Sequence, residues 1–318
     1  LADTFTSGGK VELYNVVSGY TTNTSLENLF VNYYSYLGSQ TEGEVIINAL
    51  TPGSQPSSIT TTSDVIIIGT DTKINSTINH KLNSAGGVQG DVDFTIGATK
   101  NVTINKSIGA GDDIIITGNG NIVTAKGANL LSDTNKSGTG GIFIVNNSNT
   151  GGSTTQIDGN LDTSTASPDD IQLIHNGVST AKVVVAGNVA THQGADILVW
   201  RDGGIDLSCV FMGSDDVSIT ALGQSAVIRG PITADVDGPG NGFIAYAAPF
   251  AQTKLHPTAV LTAPNVLLGF ADNPTPLIQS LLGGWIGTNS IAGVNATGGA
   301  YAKAADKPAV QILTNNLT

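Results

Sequence analysis

The sequence predicts an all-β fold, a parallel β-helix, and three observations lead there. From Val65 to Ala247 short β-branched runs recur, each cut by Gly, Asn or Asp residues that favour turns. Some runs alternate strictly, as in Val102-Thr103-Ile104-Asn105 and Val217-Ser218-Ile219-Thr220, while Ile114-Ile115-Ile116 and Val183-Val184-Val185 are apolar at successive positions. Stacked coils accommodate both patterns. β-Branched side chains pile inward, Asn, Thr and Ser repeat at the turns, and the continuous runs suit strands covered on both sides or lying at corners. Composition agrees, because 40% hydrophobic residues against 12% charged give the chain a core to bury. A β-sandwich is the alternative, which tight two-residue hairpins and clean one-face alternation would mark.

Residues 1–58 read as an aromatic-rich cap, holding Tyr14, Tyr20, Tyr33, Tyr34 and Tyr36 with Phe5 and Phe30. Leu26, Leu29, Phe30, Tyr33, Tyr34 and Leu37 follow i, i+3, i+4 spacing, Thr24 and Glu27 form a capping box, and Gly38 ends the run. That pattern predicts one short N-terminal helix. A Pro/Ser/Thr-rich link follows at 51–63. Residues 59–247 form the repeat domain, with strands expected to open at Val65, Val92, Val102, Ile114, Ile142, Ile171, Val183, Ile197, Val217, Val227 and Phe243. Residues 248–318 are rich in Pro and Leu. They predict a loop-rich C-terminal segment, with a helical turn at 275–283, that packs along the coil stack or meets a neighbouring copy.

The net charge is −12, from 13 basic and 25 acidic residues, and Arg201 and Arg229 are the only arginines. Nucleic-acid binding needs rows of Lys and Arg to displace counterions from phosphates, and anionic membranes repel such a chain. Cys209 is the single cysteine, so no intrachain disulfide forms; its setting, Leu207-Ser208-Cys209-Val210-Phe211, predicts a buried, inert thiol. The chain opens at Leu1 with neither a basic-then-apolar leader nor an eighteen-residue apolar run. The expectation is a mature, processed polypeptide or a fragment of one, secreted or on the cell surface, without a membrane span.

No catalytic or cofactor-binding set emerges. The pairs Asp112-Asp113, Asp169-Asp170 and Asp215-Asp216, and Asp235 with Asp237, invite comparison with the paired carboxylates of polysaccharide-cleaving enzymes. Adjacent aspartates before a strand are also ordinary turn chemistry. His80, His175, His192 and His256 stand apart, without metal-ligand spacing, and read as exposed or turn residues. Calcium is the ion that best suits the chain: Gly109-Ala110-Gly111-Asp112-Asp113 is similar to one turn of a Gly-rich calcium repeat, and Asp235-Val236-Asp237-Gly238 to the start of an EF-hand loop. Asp112, Asp113, Asp235 and Asp237 are therefore the candidate ligands. Eight N-x-S/T sequons, at Asn23, Asn75, Asn101, Asn105, Asn135, Asn146, Asn295 and Asn316, are candidate glycosylation sites.

The run NVTINKSIGAGDDIIITGNGNIVTA, with echoes in GNLDTSTA, AGNVATHQGADILVW and DDVSITALGQSAVI, resembles the repeat regions of filamentous-haemagglutinin-like secreted adhesins. The resemblance covers about residues 90–235. It implies a right-handed β-helix displayed on a cell surface. The expected function is that of an adhesin or structural fibre component, not an enzyme, whose Thr/Asn/Ser ladders meet glycans or other surface proteins. One alternative is a self-assembling subunit of a filament or surface layer, a homopolymer joined through its terminal segments. There Phe30, Tyr33 and Tyr34 at one end, and the strand-like Val310, Ile312 and Leu313 at the other, would form the assembly contacts. A second alternative is a polysaccharide-degrading β-helix enzyme.

Overall fold

The computed structural model describes residues 92–269 almost continuously, with flanking stretches at 11–15, 44–49, 58–61, 65–75, 77–80, 294–297, 310–313 and 316–317. The short helix expected near residues 25–37 lies outside the described residues, as does the helical turn at 275–283.

The chain visits three sheets in rotation. Phe94–Ala98 lies in sheet C, Val102–Ile104 in sheet A and Ile108–Gly109 in sheet B, and then Ile114–Gly118 returns to sheet C beside Phe94–Ala98. Among the described residues the three sheets hold nine (A), eleven (B) and ten (C) strands, and each named pairing is parallel. The architecture is a right-handed parallel β-helix, which removes the sandwich alternative. Coil length varies: the residue before each sheet C strand recurs after 20 residues (Asp93 to Asp113), then 28 (to Gly141), and again 20 (Asp196 to Asp216). The extra residues sit at corners, in loops at 132–141 and 147–153.

The core is a set of stacked rows. In sheet C, Phe94, Ile114, Ile142, Ile171, Ile197 and Val217 share one inward row, and Ile96, Ile116, Ile144, Leu173, Val199 and Ile219 the next, all fully buried. Sheet A adds Val102, Ile122, Val183 and Ile205, and sheet B adds Ile108, Leu130, Leu161, Val189 and Phe211. β-Branched residues suit this interior because their stiff side chains pack against the same residue type one coil away. Each large residue removed would cost roughly 2–5 kcal/mol.

Two expectations change. Ile115 and Val184 face outward and are half-buried, so the continuous apolar runs are not strands covered on both sides. The coil stack also passes the expected limits of 59–247. Val11–Asn15 and Glu44–Ala49 belong to sheet A, Val260–Thr262 to sheet B and Asn265–Gly269 to sheet C.

Candidate functional site

Each corner carries a side-chain ladder formed by residues at or immediately before the start of a strand. Where the chain enters sheet B, Asn129 N–H donates to Ser107 Oγ, Asn160 N–H to Asn129 Oδ1 and Asn188 N–H to Asn160 Oδ1, at 3.0–3.1 Å. Where it enters sheet A, Asn101 donates to Asp71, Asn121 N–H to Asn101 Oδ1 and Thr154 N–H to Asn121 Oδ1. Where it enters sheet C the rungs are aspartates. Asp113 N–H donates to Asp93, Gly141 N–H to Asp113, Asp196 N–H to Asp170, Asp216 N–H to Asp196 and Phe243 N–H to Asp216, at 2.7–3.2 Å. Each ladder satisfies backbone donors that the turn would leave exposed.

The sheet C ladder stacks like charges. Burial, opposed by the Gly141 N–H and reinforced by Asp169, pushes the Asp113 carboxyl up. Burial also raises Asp196. Asp216 is pushed up to about 6, first by burial and then by the negative charges of Asp215, Asp196 and Asp235. The carboxylate oxygens of Asp196, Asp215 and Asp216 converge within 4.8 Å of one another. Among the described residues, Asp215 Oδ1 is shielded from solvent and accepts no hydrogen bond. The trio is thus consistent with a divalent-cation site such as one for Ca²⁺, where the cation would neutralise the repulsion.

This is not the expected calcium set. Asp113 is tied to Gly141 N–H, Asp235 to Gly240 N–H and Asp237 to the Ser214 hydroxyl, while Asp112 lies beside the ladder. Asp235 holds a left-handed φ of 62°, which serves its turn. Of the four candidates, none is in the convergent trio.

A folded-state pKa raised above 3.8 means that the protonated carboxyl fits the fold better. The stabilising contribution is present below about pH 4 and is lost as pH rises through about 6. At pH 7, millimolar Ca²⁺ is expected to raise the melting temperature by roughly 2–5 °C. Asp215→Asn and Asp216→Asn should abolish that increment, as should lowering the pH to 5. A melting curve that ignores Ca²⁺ at pH 7 would remove the cation reading.

The opposite edge of sheet C differs in chemistry. A cleft of about 360 Å³ is lined by Lys100, Asn101, Asn119, Asn121, Thr150 and Ser153 with Gly120, Gly151 and Gly152. It exists because the 147–153 loop is an insertion lying over the turns of two preceding coils. Its walls are amides, hydroxyls, backbone and one ammonium.

Beneath it lies a buried polar column. Asn146, His175 and Arg201 occupy the same inward position on successive coils, and each is fully buried. Asn146 Nδ2 donates to the Gly120 carbonyl and to Thr155 Oγ1. His175 shares hydrogen bonds with the Ser153 and Thr155 hydroxyls, and Arg201 donates to the carbonyls of His175 (2.6 Å) and Ala181 (3.2 Å). Burial first, and then the Arg201 charge, lower His175 to about 4. The expected exposed histidine is therefore a neutral interior one.

The remaining sequence candidates fall as follows. Cys209 is buried, and that burial pushes its thiol up to about 12, which keeps it protonated and unreactive. Asn146 is a correction: a sequon nitrogen that is fully buried and twice bonded offers no acceptor to a glycan. Asn105 is exposed; Asn75, Asn101 and Asn135 are half-buried. Asn295 and Asn316 lie in the strands Val294–Thr297 and Asn316–Leu317. Phe30, Tyr33, Tyr34 and Asn23 lie outside the described residues. Val310–Leu313, with Ile312, pairs within the chain, with Val260–Thr262 and Val294–Thr297.

Asp196 and the His175–Arg201 column escaped the sequence reading. The signal was present for the first: Asp stands directly before the opening apolar residue in Asp93-Phe94, Asp113-Ile114, Asp170-Ile171, Asp196-Ile197 and Asp216-Val217.

No protein-family model matches the chain, and no curated protein or solved structure matches it. The likeness to filamentous-haemagglutinin-like adhesins therefore stands at the level of shape, the right-handed β-helix being seen in many adhesins. Among the described residues no helix is long and apolar enough to cross a membrane.

Proposed function

We propose that this protein is a secreted or surface-displayed adhesin, or a structural fibre component, that holds glycans on the side of its coil stack without chemically altering them. The cleft over the Asn ladder supports this reading most directly. Amides and hydroxyls fixed by neighbouring coils match the alternating donors and acceptors of a sugar, and Lys100 adds a cation suited to a carboxylated or sulfated one. The lining holds neither a carboxylate nor an imidazole to take a proton. Pre-ordered polar groups reduce the entropy cost of binding.

The test is the full chain on arrayed glycans. Lys100→Ala combined with Asn119→Ala, both exposed and outside the ladder bonds, is expected to weaken binding by about 10-fold or more. Binding that is absent from the array, or unchanged by the double variant, would remove the glycan reading.

A second reading, polysaccharide cleavage, has one observation in its favour: a carboxyl near 6 beside two further carboxylates, as acid–base catalysis requires. Asp216→Asn separates the two. Cleavage of acidic glycans that this change abolishes would favour the enzyme.

A further inference from the structure

We propose that the outer face of sheet C is the contact between two copies of this chain, packed with their long axes parallel. The outward residues Ile115, Phe143, Val145, Ile174, Leu198 and Trp200 lie on four adjacent strands: Ile114–Gly118, Ile142–Asn146, Ile171–His175 and Ile197–Arg201. Register places Ile115 beside Phe143, Val145 beside Ile174, and Ile174 beside Trp200, so they form one continuous patch. Trp200 remains 39% exposed. Such a patch on an outer face marks an interaction surface, and its aliphatic content suits protein more than sugar.

Charge selects the partner. From Phe94–Ala98 to Phe243–Ala247, no outward position of sheet C is Asp, Glu, Lys or Arg, although the chain carries a net charge of −12. Two copies can meet there without opposing like charges. The rims differ: one edge carries the aspartate ladder (Asp113, Asp170, Asp196, Asp216), and the other is mixed, with Lys100 and Lys182 beside Asp71 and Asp202.

A two-fold axis parallel to the coil axis lays the aspartate rim of one copy over the mixed rim of the other, where Lys100 and Lys182 stand. An axis along the strands would instead set aspartates against aspartates, which excludes it. Seven strands of five residues span about 30 by 16 Å, an area that suits a reversible contact and not an obligate one. An isologous contact then closes at two copies.

Sedimentation of the full chain across a concentration series is expected to show a dimer. Trp200→Asp and Leu198→Asp are each expected to weaken it by about 100-fold, by burying unpaired charge. Both side chains face outward, so circular dichroism and melting should match the parent. Met212→Asp, at an exposed apolar position on sheet B, should leave the dimer intact. A chain that is monomeric at ~100 µM, with Trp200 covered by its own sequence, a glycan or another protein, would overturn the proposal. So would a dimer that survives both sheet C variants.

Discussion

Gly187→Ala is expected to destabilise the centre of the coil stack by roughly 3 kcal/mol or more, an effect usually reserved for core overpacking. A Cβ at Gly187 would overlap the carbonyl group of Gly159, and a Cβ at Gly159 would in turn overlap that of Ala128. At this corner successive coils are in direct backbone contact. The methyl cannot be absorbed by a side-chain shift; it must separate the coils. Separation would stretch the Asn188 N–H bond to Asn160 Oδ1 (3.0 Å) and the Gly187 N–H bond to the Ile157 carbonyl (3.1 Å). Gly194 is the control. It has φ of +83° but open space around it, so Gly194→Ala costs backbone strain alone, roughly 1–2 kcal/mol. Urea unfolding of the two variants compares them directly. If Gly187→Ala is no worse than Gly194→Ala, coil-to-coil backbone contact is not what fixes this corner.

Arg201→Ala is the second large effect, with an expected loss of roughly 3–5 kcal/mol. The guanidinium is fully buried and donates to the carbonyls of His175 and Ala181. Truncation leaves those oxygens short of donors and opens a void beside the 147–153 loop. Arg201→Met separates the two causes, because it fills the void without donors and should recover less than half of the loss. The change also reaches His175, which is depressed to about 4 by burial first and by the Arg201 charge second.

A His held below its ordinary 6.5 contributes stability that is complete above pH 6.5 and lost as pH falls towards 4. That slope opposes the one from Asp216 over the same window. In Arg201→Met the His175 pKa, read by NMR titration, should move up towards 6.5. An unmoved value would show that the arginine charge does not reach the imidazole.

The position of the polar cleft was not legible in the sequence, and neither was the column beneath it. Asn146, His175 and Arg201 are separated along the chain by coils of unequal length, and nothing local distinguishes His175 from the half-buried His256. The carboxylate trio was half legible: the pair Asp215-Asp216 stood out, whereas Asp196 joins it only because one coil there spans 20 residues.

The amino-acid sequence by itself determined that the chain builds many short strands cut by turns, and it favoured stacked parallel coils over a sandwich. Alternation of β-branched with polar residues, and Asn or Asp before many of the strands, are local preferences that hold whatever lies one coil away. It also determined an inert cysteine, since an apolar setting is read from adjacent residues. Only the tertiary structure decided which side chains meet. Stacking distance is set by backbone hydrogen bonds between coils, and insertions of varying length at the corners change the partner of each residue without altering the local pattern. For that reason Ile115 lies on an outer face beside Phe143 instead of inside a second layer, and an arginine lies buried among carbonyls at a coil corner.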